Sequence, residues 1–262
     1  MNESYLRHER PVAPALGELA GDWCGQYVGY VHIPKTAGTS VTAALTNAVG
    51  VLPLVLLNEK IGTPDSRWNA GRSGFWPLIT SHMAVSRFPG SHSLISTVRE
   101  PRSRLLSSFR HFQRHRDKAG LPATSIVDFI KDGSFDLMAS YFLTPGLWAR
   151  SNIISMNPGV TADLAQGLGQ LTAMSWSDDT QGIEEMIASV TGRRVQIPKL
   201  NVADQVHKHA LQVSLDDLTR EASVDVLLLD VAEAMGLLPK RNTGWSDDYL
   251  ERTAIRLNVE FV

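Results

Sequence analysis

The residues of this chain best suited to chemistry fall in three short stretches. The first is PKTAGTS, residues 34–40. Gly38 lets the backbone approach a ligand closely, and a helix that begins after it offers unpaired N–H groups and a positive dipole end. Lys35 adds a full charge, while Thr36, Thr39 and Ser40 add hydroxyl donors. Together these make a cradle for an anion the size of a phosphate or a sulfuryl group. It is not a Walker A loop, because that pattern places its lysine directly after the second glycine. Here Lys35 precedes Gly38, and no Gly-Lys pair occurs in the chain, so ATP is the weaker expectation. The second stretch, ITSHMAVSRFPG (79–90), carries His82, a neutral imidazole suited to taking a proton near pH 7. In the third, TVREPRSRLLSSFRHF (97–112), Arg99 ends a strand and a helix starting near Pro101 follows. An arginine can fork two hydrogen bonds onto one phosphate.

The elements that must position these residues are legible from the apolar pattern. YVGYVHI (27–33) is rich in aromatic and β-branched residues and reads as a strand that Pro34 helps to end. Val41, Ala44, Leu45, Ala48 and Val49 mark the buried face of a helix, with Gly50 placed to close it. PLIT (77–80) and SLISTV (93–98) read as further strands, and Pro101 suits the first turn of a helix carrying Leu105, Leu106, Phe109 and Phe112. Strands alternating with helices predict an α/β domain with a mostly parallel sheet, whose ligands gather beyond the carboxyl ends of the strands. Residues 183–190 and 204–236 read as mainly helical, with Ser214 and Asp217 resembling a capping box. The run VDVLLLD (224–230) looks superficially like a Walker B strand, but its sequel VAEAMG favours a buried helix.

Composition narrows the classes. The chain has 262 residues, 43% of them hydrophobic, enough to bury a sizeable core. With 25 basic and 27 acidic residues the net charge is −2, so no global field favours nucleic acid or a membrane surface, and any anion site must be local. Cys24 is the only cysteine, which excludes an internal disulfide and multi-cysteine zinc sites. No stretch has the length of a membrane span or a signal-peptide core, and the expectation is a cytoplasmic protein.

The ten residues VHIPKTAGTS (31–40) resemble the 5′-phosphosulfate-binding motif of carbohydrate sulfotransferases, the family that includes the heparan sulfate 2-O-sulfotransferases and bacterial relatives. The likeness extends over roughly residues 27–235, its specific motifs confined to 31–40, His82 and 97–112. It implies a P-loop-NTPase-like three-layer fold, with an N-terminal extension at 1–26 and one sulfotransferase domain at 27–262. It also implies an enzyme that uses 3′-phosphoadenosine 5′-phosphosulfate (PAPS) as co-substrate, releases 3′-phosphoadenosine 5′-phosphate (PAP) and needs no metal. In that reading Lys35 and His82 are catalytic, His82 as the base. Lys35, Thr36, Ala37, Gly38, Thr39 and Ser40 hold the 5′-phosphosulfate, and Arg99 with Ser107 holds the 3′-phosphate. The acceptor would be a carbohydrate or another hydroxyl-bearing metabolite, walled by segments 50–76 and 116–175.

Blander readings compete. His32 reads as a packed strand residue, and His111 with His115 has the spacing of a zinc pair but lacks the accompanying glutamate. Arg99 could simply pair with Glu100. Trp68, Phe75, Trp76, Trp148 and Trp176 could stack on a sugar but are more often core. Two other functions remain open: a P-loop kinase or NTPase, and a catalytically silent nucleotide- or glycan-binding module.

Overall fold

The structure, a computed structural model, describes residues 22–56, 76–131, 138–144, 159–198 and 215–241. Five strands form one sheet: β1 (Val28–Val31), β2 (Leu54–Leu56), β3 (Leu78–Ser81), β4 (Ser93–Val98) and β5 (Leu171–Trp176), in the order β2-β3-β1-β4-β5. Every pairing is parallel. The central strands are buried along their whole length, as VGYV and LITS require when helices cover both faces of a parallel sheet.

One face is covered by α1 (Gly38–Val49) and α5 (Thr180–Thr191). Val41, Ala44, Leu45 and Ala48 of α1 pack there with Val28, Tyr30, Leu78 and Ile95 of the sheet and Ile183 and Ile187 of α5. On the other face lie α2 (Pro101–Lys118), α4 (Gly159–Leu168) and α6 (Leu215–Ala234). Leu164, Leu168, Leu228 and Ala232 meet Val31, Ile79, Val98 and Trp176 in that core. The short α3 (Ile126–Lys131) closes a satellite cluster of Leu105, Phe109, Ile126 and Phe129.

The helix ends follow local rules. Gly50 takes φ 81° and closes α1 by donating its N–H to Thr46 O. Pro101 opens α2, and the Glu100 carboxylate accepts from the Arg102 and Ser103 N–H groups at 2.8 and 2.7 Å. Glu100 therefore caps α2. The VDVLLLD run lies wholly inside α6, so it is a helix and not a Walker-B-like strand.

Two segments expected to wall the acceptor contribute regular structure. Within 116–175 lie α3, α4 and most of the edge strand β5. Within 50–76, β2 is likewise part of the sheet. The helix expected over 204–236 is described from Leu215; Ser214 of the suggested capping box lies outside the described residues, as do Trp68, Phe75 and Trp148. Trp176 is core at 1% exposure. Of the extension assigned to 1–26, the described part is tied to the domain: Cys24 N–H donates to Val49 O at 3.0 Å and Arg193 to Asp22 O at 2.6 Å. No helix among the described residues is long and apolar enough to cross a membrane.

Candidate functional site

Lys35, His82 and Arg99 lie just beyond the carboxyl ends of three neighbouring parallel strands. In register, Val31 of β1 pairs with Ser81 of β3 and with Ser96 of β4. The loop after β1, His82 after β3 and Arg99 after β4 therefore emerge side by side at one edge of the sheet. The chain also changes sides of β1 here, with β3 on one flank and β4 on the other, which is where open α/β sheets form a crevice.

The loop 34–37 is held by its carbonyls. Ile33 O accepts from the Thr36 hydroxyl (2.8 Å), Pro34 O from Arg104 Nε (3.1 Å), Lys35 O from Arg99 Nη1 (3.4 Å) and Thr36 O from the Thr97 hydroxyl (2.7 Å). Lys35 and Ala37 take left-handed conformations, φ 70° and 65°, at a cost of about 1–3 kcal/mol each. Four carbonyl anchors, each contributing about 0.5–1.5 kcal/mol, offset that strain. Alternation of left-handed residues turns successive N–H groups to one concave side, a backbone nest for an anion. Among the described residues, the N–H groups of Lys35, Ala37, Gly38 and Thr39 donate to no main-chain carbonyl, while residues 34–35 form a tight turn. Ala37, the N-cap of α1, offers no side chain to satisfy them either.

This arrangement corrects one expected role. The Thr36 side chain is fully buried, and its hydroxyl faces inward to Ile33 O and to Thr97 Oγ1 at 3.1 Å. Thr97 is in turn 2.6 Å from the Tyr30 hydroxyl. Thr36 thus braces the loop from within. Thr39 is exposed at the start of α1, whereas Ser40 is buried at 7% exposure.

Behind the loop stands a buried ion pair. Arg104 of α2 (1% exposed) lies 3.7 Å from Asp225 of α6 (0% exposed). Asp225 also accepts the Ala139 N–H at 2.9 Å. Burial pushes the Asp225 carboxyl up, against the opposing pull of Arg104. Arg104 therefore connects the Pro34 carbonyl to the opposite helical layer.

His82 lies close to His32, a residue whose sequence position suggests only packing. His32, the first residue beyond β1, places Nδ1 at 3.2 Å from His82 Nε2, with ring centroids 4.5 Å apart and planes at 81°. The His32 ring also stacks on Tyr30, centroids 5.5 Å apart and planes within 14°. Its Nε2 fills the space beside Gly38, 1.7 Å from where a Cβ would stand. Burial lowers His82 to about 4. Burial, then His82 and Lys35, lowers His32 to about 3, so both rings are neutral at pH 7.

Around the loop the charge is positive. Lys35 is lowered by burial and then by Arg114 and Arg99. Arg99 is lowered by burial, while Asp178 and Glu100 favour its charged form. His111 is lowered to about 4 by desolvation, then by Lys35, His115, Arg114 and Lys118. Ser107, half-buried, shares one stripe of α2 with Ser103, Arg110 and Arg114, since positions four, three and seven apart fall on one helical face. Like charges gathered this way are relieved by a bound anion. Arg110 and Arg114 carry no signal in the sequence beyond the basic character of the helix.

His111 and His115 meet at 3.1 Å, and no group of three potential metal ligands occurs among the described residues. A groove of about 550 Å³ beside β5 and α5 contains none of these residues, and its polar lining includes Asp179 and Glu185, the wrong charge for an anion. Comparisons with protein-family models, with curated proteins and with solved structures find no match to this chain.

Proposed function

We propose that the chain is a PAPS-dependent sulfotransferase that moves a sulfuryl group to an acceptor hydroxyl, on a carbohydrate or a glycosylated metabolite. The observation that carries this reading is the meeting of the loop 34–40, His82 and Arg99 at the adjacent ends of β1, β3 and β4. The all-parallel sheet with helices on both faces is compatible with a P-loop-NTPase-like architecture. Within that fold, Lys35 before Gly38 suits a phosphosulfate better than the Walker A pattern of ATP enzymes.

In this mechanism the nest of N–H groups of Lys35, Ala37, Gly38 and Thr39 and the hydroxyls of Thr39 and Ser40 hold the 5′-phosphate. Arg99 and Ser107 hold the 3′-phosphate. The acceptor oxygen attacks sulfur in line as the bridging S–O bond to the 5′-phosphate breaks, and the electron pair leaves with PAP. Lys35 stabilises the charge growing on the departing phosphate. His82 takes the acceptor proton.

The helical state of 224–230 removes the Walker-B-like run VDVLLLD, the sequence feature that favoured a kinase or NTPase. The direct test is transfer of label from ³⁵S-PAPS to a panel of glycans and small alcohols with chelator present. Labelled product that disappears in Lys35→Ala supports the reading. Labelled γ-phosphate transfer from ATP, strictly dependent on Mg²⁺, would replace it.

A further inference from the structure

The site contains a second imidazole whose geometry constrains the first. His82 Nε2 lies 3.2 Å from His32 Nδ1, so one proton is shared along that line and His82 Nε2 cannot also serve a substrate. The nitrogen of His82 left to act as a base is Nδ1. A neutral imidazole carries one N–H, so Nδ1 holds a lone pair only when the proton is on Nε2. His32 Nδ1 must then accept, which puts the His32 proton on Nε2, beside Gly38 at the start of α1.

We propose that His32 is a positioning residue that accepts the His82 Nε2–H and so keeps His82 Nδ1 as the basic nitrogen. The inference rests on the reading of His82 as the base of sulfuryl transfer. The His32 ring is fixed in place by the face of Tyr30, the edge of His82 and the bare Cα of Gly38. The strand register explains why the two rings meet, since each is the first residue beyond the paired Val31 and Ser81. When His82 takes a proton at Nδ1, the bond to His32 becomes charge-assisted and stabilises the imidazolium. A partner that orients a catalytic imidazole in this way sets its tautomer as well as its direction.

The test joins a spectroscopic and a kinetic measurement on the full chain. Imidazole ¹⁵N resonances at pH 7 should show His82 protonated at Nε2 and bare at Nδ1; a proton on Nδ1 overturns the proposal. Turnover is measured as PAP released from PAPS with water as acceptor, in which water oxygen attacks sulfur, the bridging bond breaks and the proton goes to His82. His32→Phe keeps the ring but lacks the acceptor, and should lower this rate about 10–100-fold while PAP affinity stays within about threefold. His32→Asn, whose Oδ1 can accept in place of Nδ1, should recover most of the loss. An unchanged rate in His32→Phe overturns the proposal, and if that variant does not fold, His32→Asn and the wild-type spectrum decide. A wild-type protein that turns over no PAPS with water or with the panel of glycans and small alcohols would refute the sulfotransferase reading, while the tautomer result would still decide the imidazole pair.

Discussion

Replacing Gly38 by alanine tests how tightly the loop and the imidazole pair are fitted together. A Cβ at this position would stand 1.7, 2.0 and 2.5 Å from three atoms of the His32 ring. Contacts ordinarily begin near 3.4 Å, so the ring must shift by roughly 2 Å, and the 3.2 Å bond to His82 cannot keep its geometry unless His82 moves as well. Overpacking of this kind costs about 1–3 kcal/mol, and the lost bond about 0.5–1.5 kcal/mol. Against this, alanine in the first turn of a helix gains up to about 1 kcal/mol over glycine. The net expectation is a loss of about 1–3 kcal/mol, visible as a melting point lower by roughly 3–10 °C. PAP release from PAPS should fall with it, because His82 loses its orienting partner. Gly38→Ala combined with His32→Ala removes the clash, so the double variant should be more stable than the sum of the single losses by about 1–3 kcal/mol. Thermal unfolding of the four proteins measures this directly. If the single losses add to within about 0.5 kcal/mol, the packing of His32 on Gly38 is not as described.

Other outcomes follow from the same geometry. His82→Ala should lower turnover about 10²–10⁴-fold while PAP still binds, and unchanged turnover would remove His82 as the base. Arg104→Met leaves Asp225 buried without its charge partner and should cost about 3–5 kcal/mol in a denaturant titration. It also frees the Pro34 carbonyl, so PAP affinity should fall in the fraction that remains folded. The buried imidazoles predict a pH dependence. His82 is lowered to about 4 in the fold, so the unfolded chain binds more protons between its ordinary value of 6.5 and that point. Stability is therefore fully present above pH 6.5 and is lost as pH falls toward 4, by at most about 3 kcal/mol from this group. Stability that stayed flat from pH 7 to 4 would contradict the burial of the pair.

Much of the fold is legible in the sequence because its signals are local. The strands around 28–31, 78–81 and 93–98 and the helices after Gly38 and Pro101 each carry their own apolar period or punctuation. β5 escapes such a reading because LTAMSW has a single β-branched residue, Thr172, and becomes a strand only by pairing with β4. The site shows the same division. Lys35, His82 and Arg99 announce themselves at strand ends, yet the pairing of His32 with His82 depends on the register of two strands fifty residues apart. No local pattern encodes that register. Thr36 looks like a ligand hydroxyl in the sequence because its inward partners, Ile33 O and Thr97, depend on how the loop folds back over β4. The positive stripe of α2 toward Lys35 likewise needs the helix to be docked before its direction has meaning.

The most direct measurement is a calorimetric titration with PAP, run beside 5′-AMP and ATP without magnesium, on the wild type and on Arg99→Ala. The account predicts that PAP binds well above both controls and that Arg99→Ala weakens it about 10–100-fold, as loss of a charge-assisted phosphate contact should. A preference for ATP, or PAP binding indifferent to Arg99, would contradict the proposed donor site.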